Sequence, residues 1–281
     1  MGRAAERLLT TYVWLVYAFM YAPILLMGLF SLNSGELMAF PLQGLTLRWY
    51  GETLTDARIL GGLGTTFAIA LPVTLITAAL GSAAALVLAR YDLPLKPLFL
   101  VQLCLPFFLP RIVFAIAEVM FLGAVGLPRS LLTVWIAQSL VILPFTTVIV
   151  ASVLARIDPR LEEAAADLGA SGWQTFRRVT LPLMRNGVLA AAFVAFVLSS
   201  AEYTVSAFTS GRVQPLSVLV ASDFRFHLSP KLNALAMLIV AFNVLVIIAS
   251  EVVRRRVAGG RARAACGREP ALLDQATVQG A

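Results

Sequence analysis

The sequence predicts an all-α integral membrane protein of six transmembrane helices, with a cytoplasmic loop that carries two short helices of its own. Composition is the first reason: 59% of the residues are hydrophobic and 13% charged, where ordinary soluble domains carry roughly 25% charge. Mean hydropathy is +0.86. The second reason is that the apolar residues gather into unbroken runs, and a helix crossing the ~30 Å hydrocarbon core needs ~20 of them. A closed β-barrel would show alternation over ~10-residue strands instead.

Taken in order, no charge interrupts Leu8 to Gly35, Ile59 to Ala89, Ser130 to Ala155, or Leu232 to Ser250. Two further runs hold charges: Pro97 to Gly123 contains Arg111 and Glu118, and Asn186 to Gly211 contains Glu202. The expected spans are therefore 9–31, 62–89, 98–123, 131–154, 187–208 and 232–253. They make residues 1–257 one transmembrane domain, followed by a tail, 258–281, expected to be disordered. Arg3 and Arg7 precede the first run in the manner of a secretory signal. That run is long for a signal core, contains Pro23 and lacks a small-x-small cleavage site, so it reads as an uncleaved span.

Six spans place both termini on one side of the membrane. Fifteen Lys and Arg residues fall on that side and six on the other, with Arg111 inside a span. The positive-inside rule then puts both termini, and the loop at 156–185, in the cytoplasm. The net charge of +7 is spread over short loops and a tail without an aromatic-interleaved patch, which argues against nucleic acid as a partner. The cluster from Arg254 to Arg268 reads as a flank that stops translocation, with contact to anionic lipid head groups as the alternative.

Catalytic and metal-binding chemistry finds little support. There is one histidine, His227, and the two lysines, Lys96 and Lys231, do not follow glycine. A GxxxxGK[ST] phosphate loop and an HExxH zinc site are both ruled out. The stretch Gly169-Ala-Ser171-Gly172 lacks the GxSxG spacing of a nucleophile elbow. Cys104 and Cys266 are far apart, one in a span and one in the tail. No catalytic residue, metal site or cofactor is expected, and any ATP-driven work belongs to other chains.

The loop between the fourth and fifth spans reads as helix, glycine turn, helix. Asp158 is placed to cap a helix with Pro159 at its first position. Leu161, Ala164, Ala165 and Leu168 share one face, and Glu162 and Glu163 lie near the positive end of the helix dipole. Gly169 supplies a left-handed stop. Ser171 can cap a second helix through Arg178, and Leu181-Pro182 is expected to bend the chain toward the next span. An alanine face buries little area by itself, so the pair suits a groove on a partner. It equally suits a loop lying along the membrane surface with Trp173 and Phe176 dipping in.

In this loop Glu163-Ala164-Ala165 is followed by three residues, Gly169, nine residues, and Val179-Thr180-Leu181-Pro182. The segment resembles the EAA loop of membrane-spanning permease subunits of binding-protein-dependent ATP-binding-cassette (ABC) importers, which ends in I-x-L-P; Val179 stands where the pattern has Ile. A second resemblance covers residues 196–240, where FVLSSAEYTVSAFTSG and PLSVLVASDFRFHLSPKLNALAMLIV are similar to the second permease of spermidine/putrescine-type transporters. The resemblance implies a bacterial inner-membrane permease forming half of the translocation pathway. Its implied partners are a second permease subunit, two ATPase subunits that grip the loop, and an external substrate-binding protein. Glu163, Ala164, Ala165, Gly169, Val179, Leu181 and Pro182 become the ATPase-coupling residues.

For the solute, the resemblance implies polyamines, with ferric iron, thiamine or phosphonate as alternatives. Relatives carry an acidic pair where this chain has Ala201-Glu202, and an acidic residue after the proline where it has Pro110-Arg111. A stand-alone secondary transporter or channel is the rival class, and it calls for inverted repeats that the sequence does not display. Ionisable residues inside spans are costly, which makes Arg111, Glu118 and Glu202 the candidates for the translocation path. Arg111 and Glu118 lie seven residues apart, ~10 Å along a helix, so each needs another partner. Pro72, Pro106, Pro110 and Pro144 can each kink a span.

Overall fold

A computed structural model describes residues 3–36, 39–92, 94–226, 229–242, 244, 245 and 248. In chain order the helices are α1 (Arg3–Ser31), α2 (Arg48–Thr55), α3 (Ala57–Arg90), α4 (Lys96–Phe108), α5 (Arg111–Ala124) and α6 (Leu131–Leu154). They continue with α7 (Arg160–Asp167), α8 (Gly172–Thr175), α9 (Leu181–Ala201), α10 (Thr204–Thr209) and α11 (Leu216–Phe226), and then α12 (Pro230–Phe242). Among the described residues the only β pairing is a single bridge between Asn33 and Leu45.

Four helices are long and apolar enough to cross a membrane: Glu6–Ser31, Ala57–Arg90, Leu131–Leu154 and Gly172–Ala201. The fourth expected span, 131–154, coincides with α6. Its capping box explains the sharp start: Thr133 Oγ1 accepts from the Ser130 backbone N–H at 2.8 Å. For α3 the sequence understates the length. Asp56 accepts from the N–H groups of Arg58 and Ile59, so the helix begins before the charge-free run does.

Two expected spans are interrupted. The third, 98–123, is a bent pair in which α4 and α5 meet at 106°. Pro110 offers no N–H and drives Leu109 into extended backbone, so the helix stops and restarts at Arg111. The fifth, 187–208, ends at Ala201; Glu202 is extended (ψ 110°) and α10 follows as a separate short helix. The expected bend at Leu181-Pro182 is absent. A π-helical turn, Phe176–Thr180, joins α8 to α9, and Gly172–Ala201 runs as one 30-residue helix with Pro182 in the first turn of α9, where its missing N–H is tolerated. The sixth expected span begins in α12 and continues as helix at 244, 245 and 248; its other residues lie outside the described ones, as do His227, Cys266 and the expected tail.

The chain divides into two compact units. In the first, Met1–Leu54 with Leu228–Ala281, the apolar side chains of α1 are exposed along its length, as suits a helix facing lipid or another chain. After α1, Trp49 Nε1 donates to the Asn33 carbonyl at 2.7 Å and Ser31 hydrogen-bonds Tyr50 at 2.7 Å, folding α2 back on the helix end. A Cβ placed at Gly28 would lie 3.5 Å from the Met237 side chain, so α12 packs across α1 there.

In the second unit, Thr55–His227, helices α3, α6 and α9 form the packed centre. Ile69, Val73, Val134, Ile142 and Ala195 meet in one cluster and Ala85, Val150, Leu154, Met184 and Ala191 in another. Lipid tails are as apolar as leucine, so close backbone approach and interhelical hydrogen bonds must supply association. Both are present. A Cβ at Gly81 would sit 2.3 Å from Thr146 Oγ1 and 3.1 Å from the Thr147 nitrogen, and one at Gly187 would sit 2.9 Å from Val153. Thr146 Oγ1 donates to the Thr77 carbonyl at 3.0 Å, and Trp135 Nε1 to that of Ala68 at 3.0 Å.

Gly81→Val is expected to destabilise the detergent-solubilised chain by the about 1–3 kcal/mol that overpacking costs, and so to lower its thermal midpoint. Gly64→Val, on the same helix with nothing within 4 Å of its Cβ, leaves the midpoint unchanged or raises it. Equal loss from both substitutions would show that glycine flexibility, not close approach, sets the stability of α3.

Candidate functional site

Two regions hold the residues singled out in the sequence. The first is the loop after α6. Asp158 Oδ1 accepts from the Arg160 N–H at 3.0 Å, and Pro159 already has helical angles (φ −57°, ψ −27°), so α7 starts as expected to within one residue. It ends on a left-handed glycine: Gly169 has φ +82°, its N–H donates to Ala166, and the Ala170 N–H reaches Ala165 at 3.1 Å. That 6→1 and 5→2 pairing satisfies the last carbonyls of the helix. Ser171 and Gln174 form a reciprocal capping box that starts α8.

The apolar face is uncovered in this chain. Leu161 is 49% exposed, Leu168 90% and Trp173 67%; Glu163, Ala164, Gly169, Leu181 and Pro182 are also exposed, while Ala165 and Val179 are half-buried. The Trp173 ring stacks on Phe176 with centroids 5.5 Å apart, and Phe176 with Ile157 packs against the Ala85–Leu154–Met184 cluster. Phe176 therefore does not dip into a membrane surface; it fixes the loop to the helical bundle.

A polar clamp adds to that anchor. Glu162 Oε1 accepts from Arg90 Nε at 3.1 Å and from Thr180 Oγ1 at 3.0 Å, while Arg90 Nη2 donates to the Ile157 carbonyl at 3.1 Å. The end of α3, the exit of α6, the helix α7 and the entry to α9 are thus joined through one ion pair. Their side chains are only 13% and 22% exposed for Arg90 and Glu162, so the pair is shielded from solvent screening. In the sequence Arg90 reads as the positive flank of a span, and nothing local links it to Glu162, 72 positions away.

The second region lies where the two spans break. Arg111, first residue of α5, donates to the carboxylate of Glu202 at the end of α9. The other Glu202 oxygen accepts from the Val205 N–H at 3.1 Å, and the Glu202 carbonyl accepts from Ser206 at 2.9 Å and Ser217 at 3.0 Å. Gln138 of α6 bridges Ser199 and Ser206 across the same break. Glu118, one turn beyond Ala115 in the α5–α6–α10 core, is 7% exposed, and neither of its carboxylate oxygens has a hydrogen-bond partner among the described residues. The structure thus brings Arg111 and Glu202 together and leaves Glu118 buried and unpaired. Gln138, with no charge to mark it, escapes a sequence reading. Among the described residues no group of three His, Cys, Asp or Glu side chains could hold a metal ion.

An apolar helical bundle with spans broken at mutually paired charges, and a tethered helix–glycine–helix loop, has the architecture of a membrane transport permease. The chain belongs to the binding-protein-dependent transport system inner membrane component family, whose profile matches residues 76–259. It is a permease of an ABC importer. It is 32% identical over 231 residues to the putrescine transport system permease protein PotI of Escherichia coli (strain K12), covering 79% of this chain and 82% of the relative. Identity to the spermidine/putrescine transport system permease protein PotC of the same organism is 30% over 241 residues, with 85% and 91% coverage. The sulfate transport system permease protein CysW of Synechocystis sp. is 29% identical over 221 residues, with 73% and 80% coverage. Among solved structures, a bacterial ABC transporter that imports the acidic polysaccharide alginate has the same fold, with TM-score 0.65 at 16% identity over 91% of this chain and 98% of that one. The MetNI methionine ABC transporter, inward facing, gives TM-score 0.56 at 18% identity, covering 70% and 93%.

Removing Arg90 should free the loop. Its pair with Glu162 is intermediate between exposed pairs worth up to about 1 kcal/mol and buried ones whose rupture costs about 3–5 kcal/mol. In hydrogen–deuterium exchange of the solubilised chain, Arg90→Ala is expected to speed exchange of the α7 amides by at least about tenfold. Glu163→Ala, at an exposed position, leaves that exchange unchanged.

Proposed function

We propose that this chain forms one half of a two-permease translocation pathway and couples it, through loop 156–185, to two cytoplasmic ATPase subunits, with solute delivered by an external binding protein. The observation that carries this reading is the clamped loop: a helix pair of EAA spacing whose apolar face is exposed while its base is bolted to α3, α6 and α9. A small-residue face of this kind admits close approach by a partner, and its rigid base transmits displacement. Glu163, Ala164, Ala165 and Gly169 form the gripped surface; Val179, Leu181 and Pro182 lead from it into the span. Closure of the ATPase pair on ATP would pull these helices and swing the spans between inward- and outward-facing states, the partners' differential affinity supplying the bias. Hydrolysis belongs to the ATPase chains.

Residues 1–257 make up the permease domain in this reading, and both termini face the cytoplasm, as the excess of arginine on that side favours. The path runs past the two helix breaks, where Arg111, Glu118 and Glu202 are its charged lining. Polyamine is the solute class favoured: two relatives at 30–32% identity carry putrescine in their names, and the broken spans hold two carboxylates against one guanidinium. A second reading, import of another small solute such as ferric iron, thiamine or a phosphonate, draws support from Arg111 and from a sulfate permease at 29% identity. Ligand screening of the cognate binding protein separates the two. Uptake by this chain reconstituted alone would replace both with a stand-alone transporter.

Gly169→Asp tests the coupling role. A β-carbon in left-handed backbone costs about 1–2 kcal/mol, and a carboxylate forced into a partner's groove without a counter-charge costs several more. The variant should insert normally and yet lose ATPase-subunit capture and uptake by orders of magnitude, while Glu163→Ala, a rim carboxylate, loses about 1 kcal/mol of binding. Normal capture and uptake by Gly169→Asp at matched expression would remove the loop as the coupling element.

A further inference from the structure

We infer that Arg111 is a tethered stand-in for a cationic substrate: its guanidinium occupies a site on the held carboxylate of Glu202, and an incoming ammonium group takes its place. The identity of the incoming ion rests on the polyamine reading above; the stand-in role of Arg111 rests on geometry alone.

The two sides of the pair are unequal. Glu202 is held: its carboxylate accepts from the Val205 N–H, its carbonyl from Ser206 and Ser217, and its side chain is 8% exposed. Arg111 is loosely placed by comparison. Its side chain is 48% exposed, and it stands on the first residue after the 106° break between α4 and α5. It can swing away by side-chain torsions without unpacking the bundle. A buried carboxylate stripped of its partner is costly, so this departure is coupled to the arrival of another cation.

Glu118 extends the site beyond one ion pair. It lies on the same half-helix as Arg111, two turns further on, and its oxygens have no hydrogen-bond partner among the described residues. The two broken spans therefore carry two carboxylates and one guanidinium, which meets only Glu202. A diamine carries the two ammonium groups that would satisfy both, whereas an anion or a neutral solute has nothing to exchange for Arg111. The pair would select charge and hold the resting state closed at once.

The test uses the whole transporter, with its second permease, ATPase subunits and binding protein, in proteoliposomes. In Arg111→Ala the substrate-free ATPase rate should rise by about an order of magnitude as the resting state loses its latch. Free guanidinium should restore the low rate by filling the vacated position, and urea, of like shape without charge, should not. Arg111→Lys, which keeps a cation and so protects assembly, should show a smaller rise that guanidinium also reverses. Putrescine should compete with guanidinium in both variants. Guanidinium rescue with putrescine competition supports the full inference. Rescue without competition by putrescine keeps Arg111 as a tethered cation and overturns the polyamine reading. An unchanged substrate-free rate, or rescue by urea equal to that by guanidinium, overturns the inference whatever the substrate.

Discussion

Every backbone N–H and C=O within lipid must find a partner inside the protein, and this requirement governs where the chain can leave the helix. At the second break the freed carbonyl of Glu202 is taken by Ser206 and Ser217 and the Val205 N–H by the Glu202 carboxylate. The Thr209 carbonyl accepts from Thr133, and the Leu216 N–H donates to Thr66. Small hydroxyl side chains thus substitute for the missing helical ladder. Without them the interruption would leave several unpaired groups, and a straight span would be the more stable choice.

The same economy of size sets the packing around the breaks. Glycine and alanine line the contacts of α3 with α6 and α9, so the helices approach until backbone and threonine side chains can bond across. The larger aliphatic residues are left facing outward, as Leu71, Leu75 and Leu80 do along α3. The distribution inverts that of a soluble bundle, where leucine fills the centre, because the surrounding lipid offers leucine as good an environment as the protein does.

Much of this was legible in the sequence, and what was not has a common cause. Composition and charge-free runs identify the membrane helices, and α6 is found to the residue because Arg129 and Arg156 bound its run. Gly169 and Ser171 announce the loop turn through chemistry confined to neighbours. The partners of Arg90 and Arg111 are different: they lie 72 and 91 positions away, and no local pattern encodes such a distance. The end of α9 at Glu202 was hidden by the apolar residues on either side, which read as one continuous span. At Leu181-Pro182 the rule that proline bends a chain was overridden because Pro182 occupies the first turn of α9, after a wide π-helical turn.

That continuity has a mechanical consequence. The 30-residue helix Gly172–Ala201 is about 45 Å long at 1.5 Å per residue. One end carries the exposed ring of Trp173 and the other stops against Glu202. Under the coupling proposed above it would act as a lever with the loop as its handle and the ion pair at its tip. Tilting it by about 5° displaces the tip by about 4 Å, enough to pull a carboxylate out of hydrogen-bonding range of a guanidinium. On that proposal, force applied at one face of the membrane and charge released within it would be two ends of a single helix.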